Sequence, residues 1–510
     1  MSIFEYKGQD ATALVGDALD LMSYSYHGLS DALGVAYQQT GFSLATAWKA
    51  LFLEGEDAGL LTGESEQAAR DKIESKGWTV LTPEALGFDG ATIDRNGTFQ
   101  GETFKFKNAQ ADVLAKYDDA GNVIQVGLAF RGTTGTIDNI VTDTIGDVID
   151  YLEFLKSEPH YVEEAFGGLL ASLKSFMEAN GLEAEDLVVT GHSLGGGAVT
   201  NMAEQSDGFL DGFFVGANYL GFASHYAPED GSSVLDSGAE IFSIDIENDP
   251  VPSVISERGV DITGNDTDYE YDTSNIVLFN DLYDTPLYWD GGNILNLTTW
   301  SAHLPFAYET VVEALQASQF SGEMDRDSLV IISGLSERRK GDTWVEDISI
   351  PLDTTGHYGD SAYILGSATD DLLRGNRSDD TLEGFSGDDF LKGEGGNDRL
   401  LGGDGNDRLE GGNGNDVLFD GAGTDVLIGG NGADTFVFAK DGATDVIEFF
   451  NASEDVIDLS DAGITSLSEV ELIQGSLWDA VTVRYGAEEI KVSGTLLMAS
   501  QFSDGNFLFA

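Results

Sequence analysis

Gly191-His192-Ser193-Leu194-Gly195-Gly196 lies between two segments of opposite character. Asp186-Leu187-Val188-Val189-Thr190 runs into it, a short β-branched stretch with the pattern of a buried strand. Gly197-Ala198-Val199-Thr200-Asn201-Met202-Ala203-Glu204 runs out of it and reads as the start of a helix. Strand, tight glycine turn and helix are the setting in which a serine is presented as a nucleophile. The glycines are a steric requirement there, because bulky side chains two residues either side of the serine would collide with the strand and the helix. In a chain with 64 glycines the bare Gly-x-Ser-x-Gly pattern carries little weight, and the flanking elements carry the reading. The plainer alternative is an ordinary glycine-rich βα turn with a solvated serine.

Around this turn, strand-like and helix-like segments alternate. Residues 123–130 and 239–246 read as strands, and Tyr161 to Ala179 as an amphipathic helix, so an α/β layer fold is expected. From Gly366 the composition changes to aspartate and glycine with a nine-residue period. Asp371, Asp380, Asp389, Asp398, Asp407, Asp416, Asp425 and Asp434 fall five residues into successive units. Two residues further on stand Leu373, Leu382, Leu391, Leu400, Leu409, Leu418, Leu427 and Phe436. This is the Gly-Gly-x-Gly-x-Asp-x-apolar-x pattern of a calcium-bound parallel β-roll. Each unit gives one turn and one short strand, with the apolar residue pointing inward. Aspartate oxygens and turn carbonyls make the oxygen-only ligand set that suits Ca2+. Units two apart share a side, so eight turns make about six sites between stacked pairs. The first units are degenerate at Ser367-Ala368-Thr369 and Asn376-Arg377-Ser378, and Asp420 replaces a leading glycine. An acidic disordered linker would not keep the apolar position in phase. Without calcium, the carboxylates repel one another and the roll is expected to be unfolded.

At 510 residues the chain is long enough for more than one domain. The expected division is a catalytic domain over 1–345, a linker over 346–365, the roll over 366–438 and a β-rich C-terminal cap over 439–510. A formal net charge of −65 argues against nucleic acid and anionic membranes as electrostatic partners and implies a large demand for cations. With no cysteine, disulfides, thiolate zinc sites and cysteine nucleophiles are excluded. No window has the length and apolarity of a membrane span. The N-terminal residues lack the cationic start and apolar run of a cleaved signal peptide. The repeats nevertheless imply a calcium-rich setting outside the cell.

A serine nucleophile needs a base, and the base needs an orienting acid. In α/β-hydrolase-type folds the chain order is Ser, then Asp or Glu, then His. Asp249 follows the 239–246 strand and is the expected acid. Of the six histidines, His303 and His357 come after it, and His303 is chosen because His357 lies in the linker. Two backbone N–H donors are needed for the oxyanion. One is expected at Leu194, the other in the loop after the 123–130 strand, at Thr133 or a neighbour.

Ala129-Phe130-Arg131-Gly132-Thr133 and the serine turn together resemble the lipase class that includes the filamentous fungal enzymes. With Glu247-Asn248-Asp249-Pro250, Ser301-Ala302-His303-Leu304-Pro305 and the repeats, the chain resembles the RTX-type bacterial lipases of subfamily I.3. The resemblance implies a secreted, calcium-dependent triacylglycerol lipase with Ser193, Asp249 and His303 as its triad. It implies export by type I secretion machinery, with the signal in the C-terminal region. It also implies a calcium-gated lid over 143–152, with Ca2+ held by Gln110, Asp143 and Asp147. A second calcium near the triad would use Glu247, Asp266 and Asn275, although Ser274 stands where the family tends to carry aspartate. A second lid segment is expected within Phe42 to Leu61. The longer relatives have two repeat blocks where this chain has one. The expected partners are an oil–water interface and its ester, and the expected state is a monomer. Phospholipase A1 and polyester (polyurethane or cutin) esterase activities are rival substrates. An RTX matrix or adhesion protein with a relic hydrolase domain is the rival of another class.

Overall fold

A computed structural model of the chain describes residues 3–26, 66–89, 91–93, 97–103, 106, 109–132, 160–223, 235–246, 255–256, 259–260, 275–280, 305–325, 328–333, 344–346, 360–475, 480–495 and 497–510. By internal contacts it divides into two units, one built mainly from Met1–Val277 and Leu287–Gln316, the other mainly from Ser328–Ala510.

The first unit is an α/β sheet. The elements that build the sheet and flank the serine turn include, in chain order, α1 (Thr12–Ser25), β1 (Trp78–Val80), β2 (Gln110–Tyr117), β3 (Val123–Phe130), α2 (Tyr161–Ala179), β4 (Leu187–His192), α3 (Leu194–Glu204), β5 (Asn218–Phe222) and β6 (Ile241–Ile246). The strands lie side by side in the order β1 to β6. The pairings β1–β2 and β2–β3 are antiparallel, and those from β3 through β6 are parallel. Asp118 shapes the turn between β2 and β3, its carboxylate accepting from the N–H groups of Ala120 and Asn122 at 2.9 and 2.8 Å.

Period-two alternation sends the two sets of strand side chains to opposite faces. Val113, Val126, Leu128, Phe130, Leu187, Val189 and Tyr219 share a buried cluster with Leu169, Leu173 and Val199 of α2 and α3. The alternate residues face α1. There the Thr190 hydroxyl donates to Ala18 O at 3.2 Å, and a Cβ on Gly127 would collide with Leu21. With both faces covered, the central strands are buried and mostly apolar, as in other sheets covered on both faces.

The expected strand at 123–130 and helix at 161–179 match β3 and α2 residue for residue. The helix after the serine begins at Leu194 rather than at 197. Glycines at 195–197 are poor helix formers in isolation, but Leu194 to Ala203 is buried throughout, and that packing outweighs propensity.

In the second unit, strands 18 residues apart pair in parallel and build two stacks. One carries Leu382, Leu400, Leu418 and Phe436 in register, and the other Leu373, Leu391, Leu409 and Leu427. All eight side chains are fully buried. At ~1.5–3 kcal/mol each, these two single files form a thin core. The first stack takes its earliest rungs from residues 278–280, 329–332 and 362–367, upstream of the regular repeat. Nor do the stacks stop at residue 438. Residues 444–447 and 456–458 extend them, and an antiparallel meander of 471–474, 480–485 and 488–493 ends one of them.

The turns demand glycine where rungs approach each other. Gly414 has φ of +141°, and a Cβ there would overlap Gly396 O of the rung below. Gly414→Ala is therefore expected to cost ~2–4 kcal/mol of roll stability. A calcium titration followed by circular dichroism should show the folding midpoint move to higher calcium; an unchanged midpoint would count against this close approach.

Candidate active site and calcium sites

Ser193 caps α3 with φ 59° and ψ −126°, a conformation L-residues rarely hold. Such strain costs ~1–3 kcal/mol and persists only where the surroundings impose it. They do so here: the Ser193 N–H donates to Phe222 O at 3.0 Å, and its C=O accepts from Gly197 N at 3.1 Å. Close approach explains the flanking glycines. A Cβ on Gly191 would run into the Gly195 carbonyl, and one on Gly195 into Phe130 O. Gly195→Ala should cost ~1–3 kcal/mol as the α3 start is pushed off β3. Chemical denaturation of the first unit reads this as a lower midpoint, and an unchanged midpoint would contradict it.

Ser193 is 6% exposed, and the first N–H groups of α3 follow it directly, at the positive end of the helix dipole. β3 ends beside it. A Cβ on Gly132 would lie 3.2 Å from Ser193 Cβ and 2.5 Å from His192 O. The Arg131–Gly132 segment and the Leu194 N–H thus flank the same serine. Gln110 stands at this end of the sheet too: it is buried at the start of β2, and its carbonyl accepts from Arg131 N at 3.0 Å.

His192 is not the base that chain order asks for, and its surroundings agree. It is 2% exposed, its Nδ1 lies 3.0 Å from the Tyr26 hydroxyl, and its ring meets Tyr26 and Tyr308 edge to face. Tyr26 and Tyr308 were not singled out from the sequence, since no local motif marks residues that meet only through the fold. Thr133, Asp143, Asp147, Glu247, Asp249, Asp266 and His303, with both lid segments, lie outside the described residues. Asn275 opens a strand over 275–280, its side chain likewise outside them.

In the roll, every repeat aspartate is buried. One carboxylate oxygen ties two rungs together. Asp389 Oδ1 accepts from Asp371 N at 2.7 Å, Asp407 Oδ1 from Asp389 N at 2.9 Å, and Asp425 Oδ1 from Asp407 N at 2.7 Å. The interleaved set runs from Asp380 through Asp398 and Asp416 to Asp434. The other oxygen, Oδ2, is buried without a hydrogen-bond partner at Asp389, Asp398, Asp407, Asp416, Asp425 and Asp434. A buried carboxylate oxygen without a donor is costly unless a cation meets it. At Asp389, Asp398, Asp407 and Asp416 this oxygen faces the leading glycine of its own unit, beside a carbonyl of the next rung such as Gly411 O at Gly393, so the donor set there is hard oxygen throughout. That fits calcium.

In the metal-free state, burial raises these groups, and neighbouring aspartates add to the effect. Asp389 is pushed up to about 8, Asp398 and Asp425 to about 7, and Asp407 and Asp416 to about 6. Asp445 and Asp455 were missed as members of this ladder. They accept from Asp425 N and Asp434 N at 3.1 and 3.2 Å, at offsets of 20 and 21 residues instead of 18. The Asp-Val-Ile triplets at 445–447 and 455–457 were the available signal.

The α/β sheet with its strained serine turn and the calcium-fitted roll define an α/β-hydrolase-type fold followed by an RTX β-roll. Residues 365–400 and 401–436 match the RTX calcium-binding nonapeptide repeat family (4 copies). A lipase from Pseudomonas fluorescens is 38% identical over 387 residues, 72% of this chain and 79% of the relative. A second lipase from that organism is 34% identical over 391 residues, 72% of this chain and 83% of the relative. The crystal structure of the extracellular lipase LipA from Serratia marcescens superposes with a TM-score of 0.71 at 29% identity, covering 100% of both chains. The chain belongs to the RTX-type bacterial lipases: it is a secreted lipase whose β-roll binds calcium.

Proposed function

We propose that this lipase hydrolyses water-insoluble triacylglycerols through Ser193, His303 and Asp249. The observation that carries the reading is the Ser193 turn, with its φ of 59°, the α3 start behind it and Gly132 beside it. The Ser193 hydroxyl oxygen attacks the ester carbonyl carbon while His303 takes its proton, and Asp249 orients and stabilises the imidazolium. The oxyanion accepts from the Leu194 N–H and from the loop at Thr133. Collapse of the intermediate breaks the bond to the alcohol, which leaves with the proton from His303. Water, deprotonated by His303, then releases the fatty acid and restores Ser193. Bound calcium supplies charge neutralisation and folding energy to the roll.

The remaining parts of this reading rest on the family. The 143–152 segment acts as a lid whose Ile145, Val148, Ile149 and Leu152 meet lipid when open, with Gln110, Asp143 and Asp147 holding its calcium. Glu247, Asp266 and Asn275 hold another near the triad. The chain works as a monomer at the oil–water interface and leaves the cell by the type I route. Among the described residues, no helix is long and apolar enough to cross a membrane.

Rates on emulsified triolein, lecithin and short p-nitrophenyl esters test the substrate. The fastest turnover is expected on triolein, and preference for lecithin would reassign the enzyme as a phospholipase. Asp147→Ala is expected to abolish activity on emulsions at low calcium; full activity there would count against the lid.

A further inference from the structure

Asp420 stands where Gly375, Gly384, Gly393, Gly402, Gly411 and Gly429 open their units. In each of those units, a Cβ on the leading glycine would press against the second oxygen of the unit's own aspartate. The side chain of Asp420 therefore starts from the place that faces Asp425. Asp425 is fully buried, its Oδ1 is taken by Asp407 N, and its Oδ2 has no hydrogen-bond partner. Asp420 is 4% exposed, and its Oδ1 accepts from Gly421 N at 2.7 Å and Ala439 N at 3.0 Å. Asp445 is 5% exposed, and its Oδ1 accepts from Asp425 N at 3.1 Å. One carboxylate oxygen from each of the three lies within 4.8 Å of the others. That span suits oxygens arranged around one calcium at ~2.3–2.6 Å.

We propose that Asp420, Asp425 and Asp445 bind a calcium ion through three side-chain carboxylates, a site different in kind from the glycine-led sites along the rest of the roll. A glycine-led unit can offer only backbone oxygen at its first position. Here that position offers a negative side chain, and three carboxylates around a divalent ion leave the group with one net negative charge. Added ligand charge tightens calcium sites. In the metal-free state, burial pushes Asp420 up to about 8, with the Asp445 and Asp425 charges adding to it, and burial with the nearby Asp441 and Glu488 charges pushes Asp445 up to about 6. Asp445 lies beyond the regular repeat, so the site ties the last full unit of this stack to the strand at 444–447.

The proposal is independent of the ester chemistry and is tested on the full-length chain by calorimetric titration with calcium. Asp420→Asn is expected to weaken one site about tenfold. Asp420→Gly restores the residue that neighbouring units carry, keeps the roll folded and should show the same loss. Asp461→Asn removes an exposed charge elsewhere in this unit and should leave every site unchanged. If both Asp420 variants bind the same number of ions with the same affinities as Asp461→Asn, the proposal is overturned.

Discussion

Ser193→Ala is expected to lower ester hydrolysis by roughly 10⁵-fold or more, because the proposed base and acid act through the serine hydroxyl, and without it only oxyanion stabilisation and substrate binding remain. The substitution removes one oxygen and leaves the backbone contacts that impose φ of 59°. Alanine accepts that conformation no less readily than serine does, so folding and calcium binding should match the parent. The measurement is turnover on emulsified triolein, with circular dichroism and calcium titration as controls. Residual activity above about one part in a thousand would point to another nucleophile, whereas loss of fold would leave the cause structural.

Chelation is expected to have a comparably large effect on the second unit. Removing calcium leaves six buried carboxylate oxygens without a partner against two single files of leucine. At pH 8 the β signal of the roll should collapse in chelator and return with millimolar calcium. The pH dependence of the chelated protein has a definite sign. The folded metal-free roll holds protons more tightly than the unfolded chain, since its aspartates are pushed up to between about 6 and about 8. Their contribution is therefore fully present below the ordinary carboxylate range and is lost as pH rises through those raised values. Chelated protein should retain more β structure at pH 5 than at pH 8. An equal or larger loss at pH 5 would contradict the burial of these groups.

The local parts of this fold were legible in the sequence because their causes are local. The apolar run of β3 and the amphipathic pattern of α2 depend on spacing alone, and so does the repeat, in which glycine, aspartate and leucine hold phase together. What escaped has non-local causes. The early start of α3 comes from packing against the sheet, which lets Gly195 and Gly196 be helical. The setting of His192 comes from Tyr26 and Tyr308, far away in the chain. Asp445 and Asp455 join the ladder through longer loops, so a strict nine-residue count passes them by. Phe385 and Glu394 hold φ of 69° and 71° where later units carry glycine, which shows that register survives local mismatch. Chain order remains the support for Asp249 and His303.

Ser193 as the nucleophile of this lipase is open to a direct chemical test. An alkylphosphonate ester that mimics the tetrahedral intermediate tests it most directly, with the adduct located by mass spectrometry of the digested protein. About one equivalent of adduct is expected on Ser193, formed in step with loss of lipase activity. Complete inactivation with Ser193 unmodified, or full activity with Ser193 fully modified, would contradict it.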